Sequence, residues 1–149
     1  MEHLRVLLYR KRMFSLSEVS LVAGGGAIGA TLRFIVGRFC DVTWESTKFP
    51  IATFFVNIVG CFLIGVIAGL SVRDSISPLT RLFVVTGILG GFTTFSAFGL
   101  ETITLLRGGH LMTSLLYILG SVAGGCVGVM IGLSFTEPSS PLSWRPSIR

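Results

Sequence analysis

The chain has 149 residues, of which 51% are hydrophobic and 13% charged, and its mean hydropathy is +0.82. A soluble domain carries about 25% charged residues, so a water-soluble globule of this size is excluded and the chain reads as an integral membrane protein. The formal net charge of +5 is concentrated at Arg5, Arg10, Lys11 and Arg12, ahead of the first apolar block, which is the pattern of a membrane-flanking topology signal and not of a nucleic-acid face.

Residues 1–16 read as a basic N-terminal tail and 17–135 as a transmembrane domain, while 136–149, with three prolines and four serines, reads as a disordered tail. A bilayer core about 30 Å thick needs about 20 helical residues. Four segments meet that requirement: 17–39, 50–72, 80–106 and 111–135. The first apolar run is too long for a cleaved signal and lacks a cleavage site before a soluble domain, so it is read as a retained helix. Pro50 suits the first turn of the second span. The connections are short, which makes consecutive helices antiparallel neighbours.

Glycine is dense in these spans. Gly120, Gly124, Gly128 and Gly132 recur every four residues as one stripe, and Gly65 and Gly69 form a small-xxx-small pair. Such stripes let helix backbones approach closely. One four-helix subunit leaves little interior for a water path, so the pattern is taken to favour an oligomer.

The third span carries a conflict. Its middle reads Gly90-Gly91-Phe92-Thr93-Thr94-Phe95-Ser96-Ala97-Phe98, and the two glycines and two β-branched threonines weaken a helix from within. Broken backbone at membrane depth is tolerated only where protein buries it or where it lines a cavity or ion site. Phe95 and Phe98 follow the break. Aromatic residues at helical spacing usually pack, yet a ring edge is electropositive and can meet a small anion; periodicity does not decide between the two.

Other polar groups lie at membrane depth, where they are costly and face a bundle interior. Arg33, toward the end of the first span, either snorkels to the interface or attracts anions at a pore vestibule. Asn57, four residues after Thr53 on one helix face, is either an interhelical clamp or a donor lining an anion route. Glu101 is a candidate proton-coupling site or a hydrogen-bond acceptor at the rim. Tyr117 and Ser121, again four apart, offer hydroxyls on one face of the fourth span.

Cys40, Cys61 and Cys126 are widely spaced and form no disulfide framework, and Cys61 and Cys126 are read as small packing residues. His3 and His110 are isolated. With no nucleophile–base pair and no histidine metal set, the chain is not expected to be an enzyme.

Four spans put the N-tail, the 73–79 loop and the C-tail on one side, with eight Lys/Arg against three opposite (Arg38, Lys48 and Arg107). That excess predicts cytoplasmic termini. It depends on the first twelve residues, and a start at Met13 would nearly balance the two sides and allow insertion both ways. Met13 is therefore expected to be an alternative start.

The chain resembles the CrcB/Fluc fluoride channels from about residue 19 to 133. The matching stretches are GAIGATLRF over 26–34, NIVGCFLIG over 57–65 and GGFTTFS over 90–96, in order and on the right spans. The resemblance implies an all-α integral membrane protein of the cell inner (plasma) membrane. Its four transmembrane helices would include a broken third helix, and the subunits would pair as an antiparallel, dual-topology homodimer. It implies passive fluoride export through two pores per dimer, with Phe95, Phe98 and Asn57 in the fluoride pore and Arg33 in the vestibule. Thr53, Ser96, Glu101, Tyr117 and Ser121 fall at polar-track positions. A structural sodium at the dimer centre would be held by the backbone carbonyls of Gly90 and Thr93 of both subunits. Ala97 departs from the pattern, standing where a hydroxyl residue is common. The expected partners are fluoride, the lipid bilayer and a second copy of the chain, or else a paired homologue of opposite orientation; no nucleic acid is expected. The rival classes are a proton-coupled small-drug antiporter, whose carboxylate would belong in the first span where Arg33 stands, and an auxiliary membrane subunit.

Overall fold

The computed structural model describes residues 15–136 other than Asp74. Among them every regular element is a helix: α1 (Leu16–Thr43), α2 (Ile51–Val72), α3 (Pro78–Arg81), a π-helical stretch (Leu82–Leu89), α4 (Gly90–Phe92), α5 (Phe95–Arg107) and α6 (Leu111–Ser134). α3 to α5 run on as one passage, Pro78–Arg107, so that four helical passages of 28, 22, 30 and 24 residues are each long and apolar enough to cross a bilayer. This is a multi-pass membrane protein. The basic tail, Met13 and residues 137–149 lie outside the described residues. Thr136, assigned above to the C-terminal tail, is buried, and its hydroxyl donates to the Val66 carbonyl at 3.3 Å.

α1 begins with a capping box. The Ser15 hydroxyl accepts from the Glu18 amide at 3.2 Å, while the Glu18 carboxylate accepts from the Ser15 amide at 2.7 Å. The helix runs past the predicted end to Thr43, carried by buried Cys40 and by an Arg38–Asp41 pair one turn apart. Arg33 is therefore well inside α1 rather than toward its end. Pro50 is the N-cap of α2 and not part of its first turn, and its carbonyl accepts from the Phe54 amide at 3.0 Å.

The four passages assort into pairs. α1 packs against the π-helical stretch and α4, α2 packs against α6, and α5 packs against α6. Glycines set both main contacts. A Cβ at Gly29 would fall onto the Ile88 carbonyl and lie 2.8 Å from the Phe92 amide nitrogen, and one at Gly132 would fall onto the Phe62 carbonyl and lie 2.8 Å from the Val66 amide nitrogen. Gly120, Gly124 and Gly128 face Phe54, Ile58 and the Ile58–Phe62 backbone in the same way. The predicted stripe thus seals α6 onto α2 of its own chain, and it gives no argument for an oligomer.

Between α4 and α5 the backbone leaves the helix for two residues. Thr93 (φ −83°, ψ 160°) and Thr94 (φ −153°, ψ 115°) are extended. The helix restarts because the Thr94 hydroxyl accepts from the Ala97 amide at 3.2 Å, an N-cap that replaces the missing upstream carbonyl. The break lets the two halves of one passage serve different partners, α1 before it and α6 after it.

Candidate functional site

At the break, α2 supplies what the interrupted helix lacks. Asn57 Oδ1 accepts the Thr94 N–H at 2.9 Å, and Asn57 Nδ2 donates to the Thr94 carbonyl at 3.2 Å. The backbone donor fixes which amide atom is oxygen. One amide proton of Asn57 remains uncommitted. Gly60, one turn on, admits the Thr93 side chain, which a Cβ there would strike. Thr94 N–H would be the helical partner of the Gly90 carbonyl, so its diversion to Asn57 releases that carbonyl.

Beside the break lies a cavity of about 350 Å³. Its walls include Asn57, Gly90, Thr93, Thr94, Phe95, Phe98 and Ser121, with Cys61 and several aliphatic side chains between them. The Ser121 hydroxyl oxygen is buried and has no hydrogen-bond partner among the described residues. Such a group costs free energy unless something binds it. The N-terminus of α5, with its unpaired N–H groups and positive dipole end, opens here through Thr94 and Phe95. Phe95 is 84% exposed in the single chain, so its ring is free to meet another molecule.

A column of rings leads away from this cavity. Phe95 and Phe98 have centroids 5.6 Å apart, Phe98 and Tyr117 5.1 Å, and Tyr117 and Phe49 5.4 Å. Alongside it Glu101 joins three helices, because Thr53 Oγ1 donates to its Oε1 and Tyr117 Oη to its Oε2, both at 2.7 Å. Beyond that bridge is a second cavity of about 560 Å³, walled by Asp41, Glu45, Lys48, Phe49, Thr53 and Glu101 among others. Two chambers are thus divided by one carboxylate bridge and its aromatic neighbours.

Of the residues singled out from the sequence, Asn57, Gly90, Thr93, Phe95, Phe98 and Ser121 meet at the first cavity. Thr53 and Glu101 line the second, and Tyr117 stands between the two. Ser96 lines neither; it is exposed, its hydroxyl 3.2 Å from that of Thr94. Arg33 also lines neither cavity, and its Nη1 is 3.4 Å from the Thr93 carbonyl, which it meets as a donor. Cys61 packs against Gly125 and Gly128 of α6 and also borders the first cavity, while Cys126 is exposed on the single chain. Sequence reasoning did not single out Thr94 as the partner of Asn57, or Phe49 as the outer ring of the column. The T-T pair and the Phe49-Pro50 step were the available signals.

The carbonyls of Gly90 and Thr93 are candidate cation ligands. Both are neutral oxygens freed by the break, the donor type that hard cations take, and Gly90 is exposed on the subunit surface. The donor set fits such an ion when two subunits contribute, since one chain offers only two of these oxygens. Among the described residues no cluster of three or more His, Cys, Asp or Glu offers an alternative.

The family described as "CrcB-like protein, Camphor Resistance (CrcB)" matches residues 20–133. A protein of Azobacteroides pseudotrichonymphae named "Fluoride-specific ion channel FluC" is 42% identical over 123 residues, which is 82% of this chain and 98% of that one. Proteins of the same name from Chlorobium phaeobacteroides and Methylobacillus flagellatus are each 46% identical, over 78% and 80% of this chain and 91% and 94% of their own. With the family match running through all four membrane passages, and relatives this similar over nearly their whole length, the chain belongs to the CrcB family.

Proposed function

We propose that the protein is a fluoride-selective passive channel of the inner membrane, and not an enzyme, and that it lets cytoplasmic fluoride leave down its electrochemical gradient. Hydrogen fluoride enters from acidic surroundings and dissociates in the less acidic cytoplasm, and the negative interior drives the anion out. The observation that carries this reading is the cavity at the break, where uncommitted donors and the Phe95 and Phe98 side chains meet in an apolar wall. Fluoride is small and strongly hydrated, so a narrow, dry route must replace its water with donors. The free Asn57 amide proton, the orphaned Ser121 hydroxyl and the Phe95 and Phe98 ring edges offer that replacement. The names of the chain's relatives support the same ion.

The working unit in this reading is an antiparallel homodimer of dual topology with two pores. A single subunit leaves Gly90, Phe95 and Ser96 exposed at the depth of the break, and backbone freed at membrane depth needs cover. A second copy in the opposite sense supplies it. Sodium at the junction would neutralise the facing carbonyl dipoles, and Gly90 and Thr93 of each chain would hold it. The antiporter reading is disfavoured because Glu101 has both oxygens engaged by hydroxyls of its own chain.

The test is reconstitution in potassium-loaded liposomes with valinomycin, following external fluoride with an electrode beside chloride-loaded controls. Rapid fluoride release without chloride release is expected. No release from well-folded dimers would instead favour one half of a heterodimeric channel, to be tried with a homologue co-expressed.

A further inference from the structure

Arg33 is the charged group nearest the break, and its surroundings are unusual. Among the described residues it has no carboxylate within ion-pair distance. Its hydrogen-bond acceptor is the Thr93 carbonyl at 3.4 Å, longer than a well-formed N–H···O bond. A guanidinium does not lose its proton inside a protein, so the charge cannot be relieved by titration. An unpaired charge within a membrane span normally marks a functional site. The acceptor it has found is one of the two carbonyls freed by the break.

We propose that Arg33 is a resident cation competing with sodium for the Thr93 carbonyl, so that the ion is held only when two subunits combine their carbonyls against it. The proposal rests on the sodium reading given above. A lone subunit offers two neutral oxygens beside a fixed positive charge, which repels a second cation. A pair of subunits brings four such oxygens to one ion, enough to complete a coordination shell that two cannot, against one Arg33 from each chain. The long Arg33 bond is the contact given up or shared when the ion is seated. Arg33 thereby ties ion occupancy to subunit pairing, and it acts as a positioning residue that need not touch fluoride.

The experiment titrates sodium into the purified full-length protein at constant ionic strength, with N-methylglucamine as the replacement cation. Dimer fraction and thermal unfolding midpoint are read for wild type, Arg33→Gln and Arg33→Lys. Removing the competing charge from both subunits should lower the half-saturating sodium concentration of Arg33→Gln by at least about tenfold, with Arg33→Lys nearer wild type. Should the glutamine variant not fold, Arg33→Met, which keeps the apolar stem, serves the same comparison. A clear sodium response in wild type with an unchanged or higher half-saturation in the neutral variant overturns the competition. No sodium response in any form overturns the sodium site, and this proposal with it.

Discussion

Asn57 and Thr94 close a ring of two hydrogen bonds across the break, with the Thr94 N–H to Oδ1 at 2.9 Å and Nδ2 to the Thr94 carbonyl at 3.2 Å. One side chain thus serves as structural clamp and cavity donor together, so the two readings of Asn57 are not alternatives. Asn57→Asp keeps the acceptor and removes both donors while adding negative charge to the cavity wall. The Thr94 carbonyl then loses its side-chain donor, at a cost of about 0.5–1.5 kcal/mol. The expected result is a folded but less stable protein with fluoride efflux near the protein-free level. Normal efflux with Asp at this position would remove Asn57 from the route.

Phe95 and Phe98 separate conduction from stability. Phe98 packs against Tyr117 at 5.1 Å, whereas Phe95 is 84% exposed. Replacing either with isoleucine keeps an apolar side chain and removes the ring edge. Both variants should lose fluoride efflux. Phe98→Ile should also lower the stability of the subunit itself, by about 1–3 kcal/mol from lost aromatic packing, whereas any loss at Phe95→Ile should appear in dimer pairing instead. Undiminished efflux in one variant would exclude a ring-edge role for that residue alone.

Much of this arrangement was legible because a bilayer imposes few choices. Apolar length located four spans, and the T-T pair after two glycines located the interruption. The capping box at Ser15–Glu18 was readable too, and it marks the true start of α1. What the sequence did not reveal depends on which faces meet. The glycine stripe on α6 reads equally well as a subunit interface or an internal one, and only the pairing with α2 decides it. The wide turns of Leu82–Leu89 leave no mark in an evenly apolar segment. Arg33 looked close to the end of its span because the apolar run stops at Phe39, whereas α1 continues to Thr43.

The glycine contacts predict opposite outcomes at two positions. Gly132→Ala forces a methyl onto the Phe62 carbonyl, where no flexible side chain can yield, while Gly24 has nothing within 4 Å. Gly132→Ala should destabilise the subunit by about 1–3 kcal/mol through overpacking. Gly24→Ala should be neutral or stabilise α1 by up to about 1 kcal/mol through helix propensity. Unfolding midpoints in detergent measure both. A loss at Gly24 would show that this face of α1 meets another chain.

The Glu101 bridge predicts coupling between residues on different helices. Thr53 on α2 and Tyr117 on α6 donate to opposite oxygens of one carboxylate, and Tyr117 is fully buried. Tyr117→Phe and Thr53→Val each leave one oxygen without its donor, and each should cost about 1.5–3 kcal/mol, the range for a hydrogen bond to a charged group. Both should also slow fluoride efflux, because they loosen the group that divides the two chambers. Once one donor is gone the carboxylate is free to turn, so the second loss costs less, and the double variant should fall short of the sum by about 0.5–3 kcal/mol. Glu101→Gln should be milder for folding, since an amide can still accept from one hydroxyl and donate to the other. Unfolding midpoints and efflux rates of the three variants and the double variant form the measurement. Strict additivity of Thr53→Val and Tyr117→Phe would mean that the two hydroxyls do not act through Glu101.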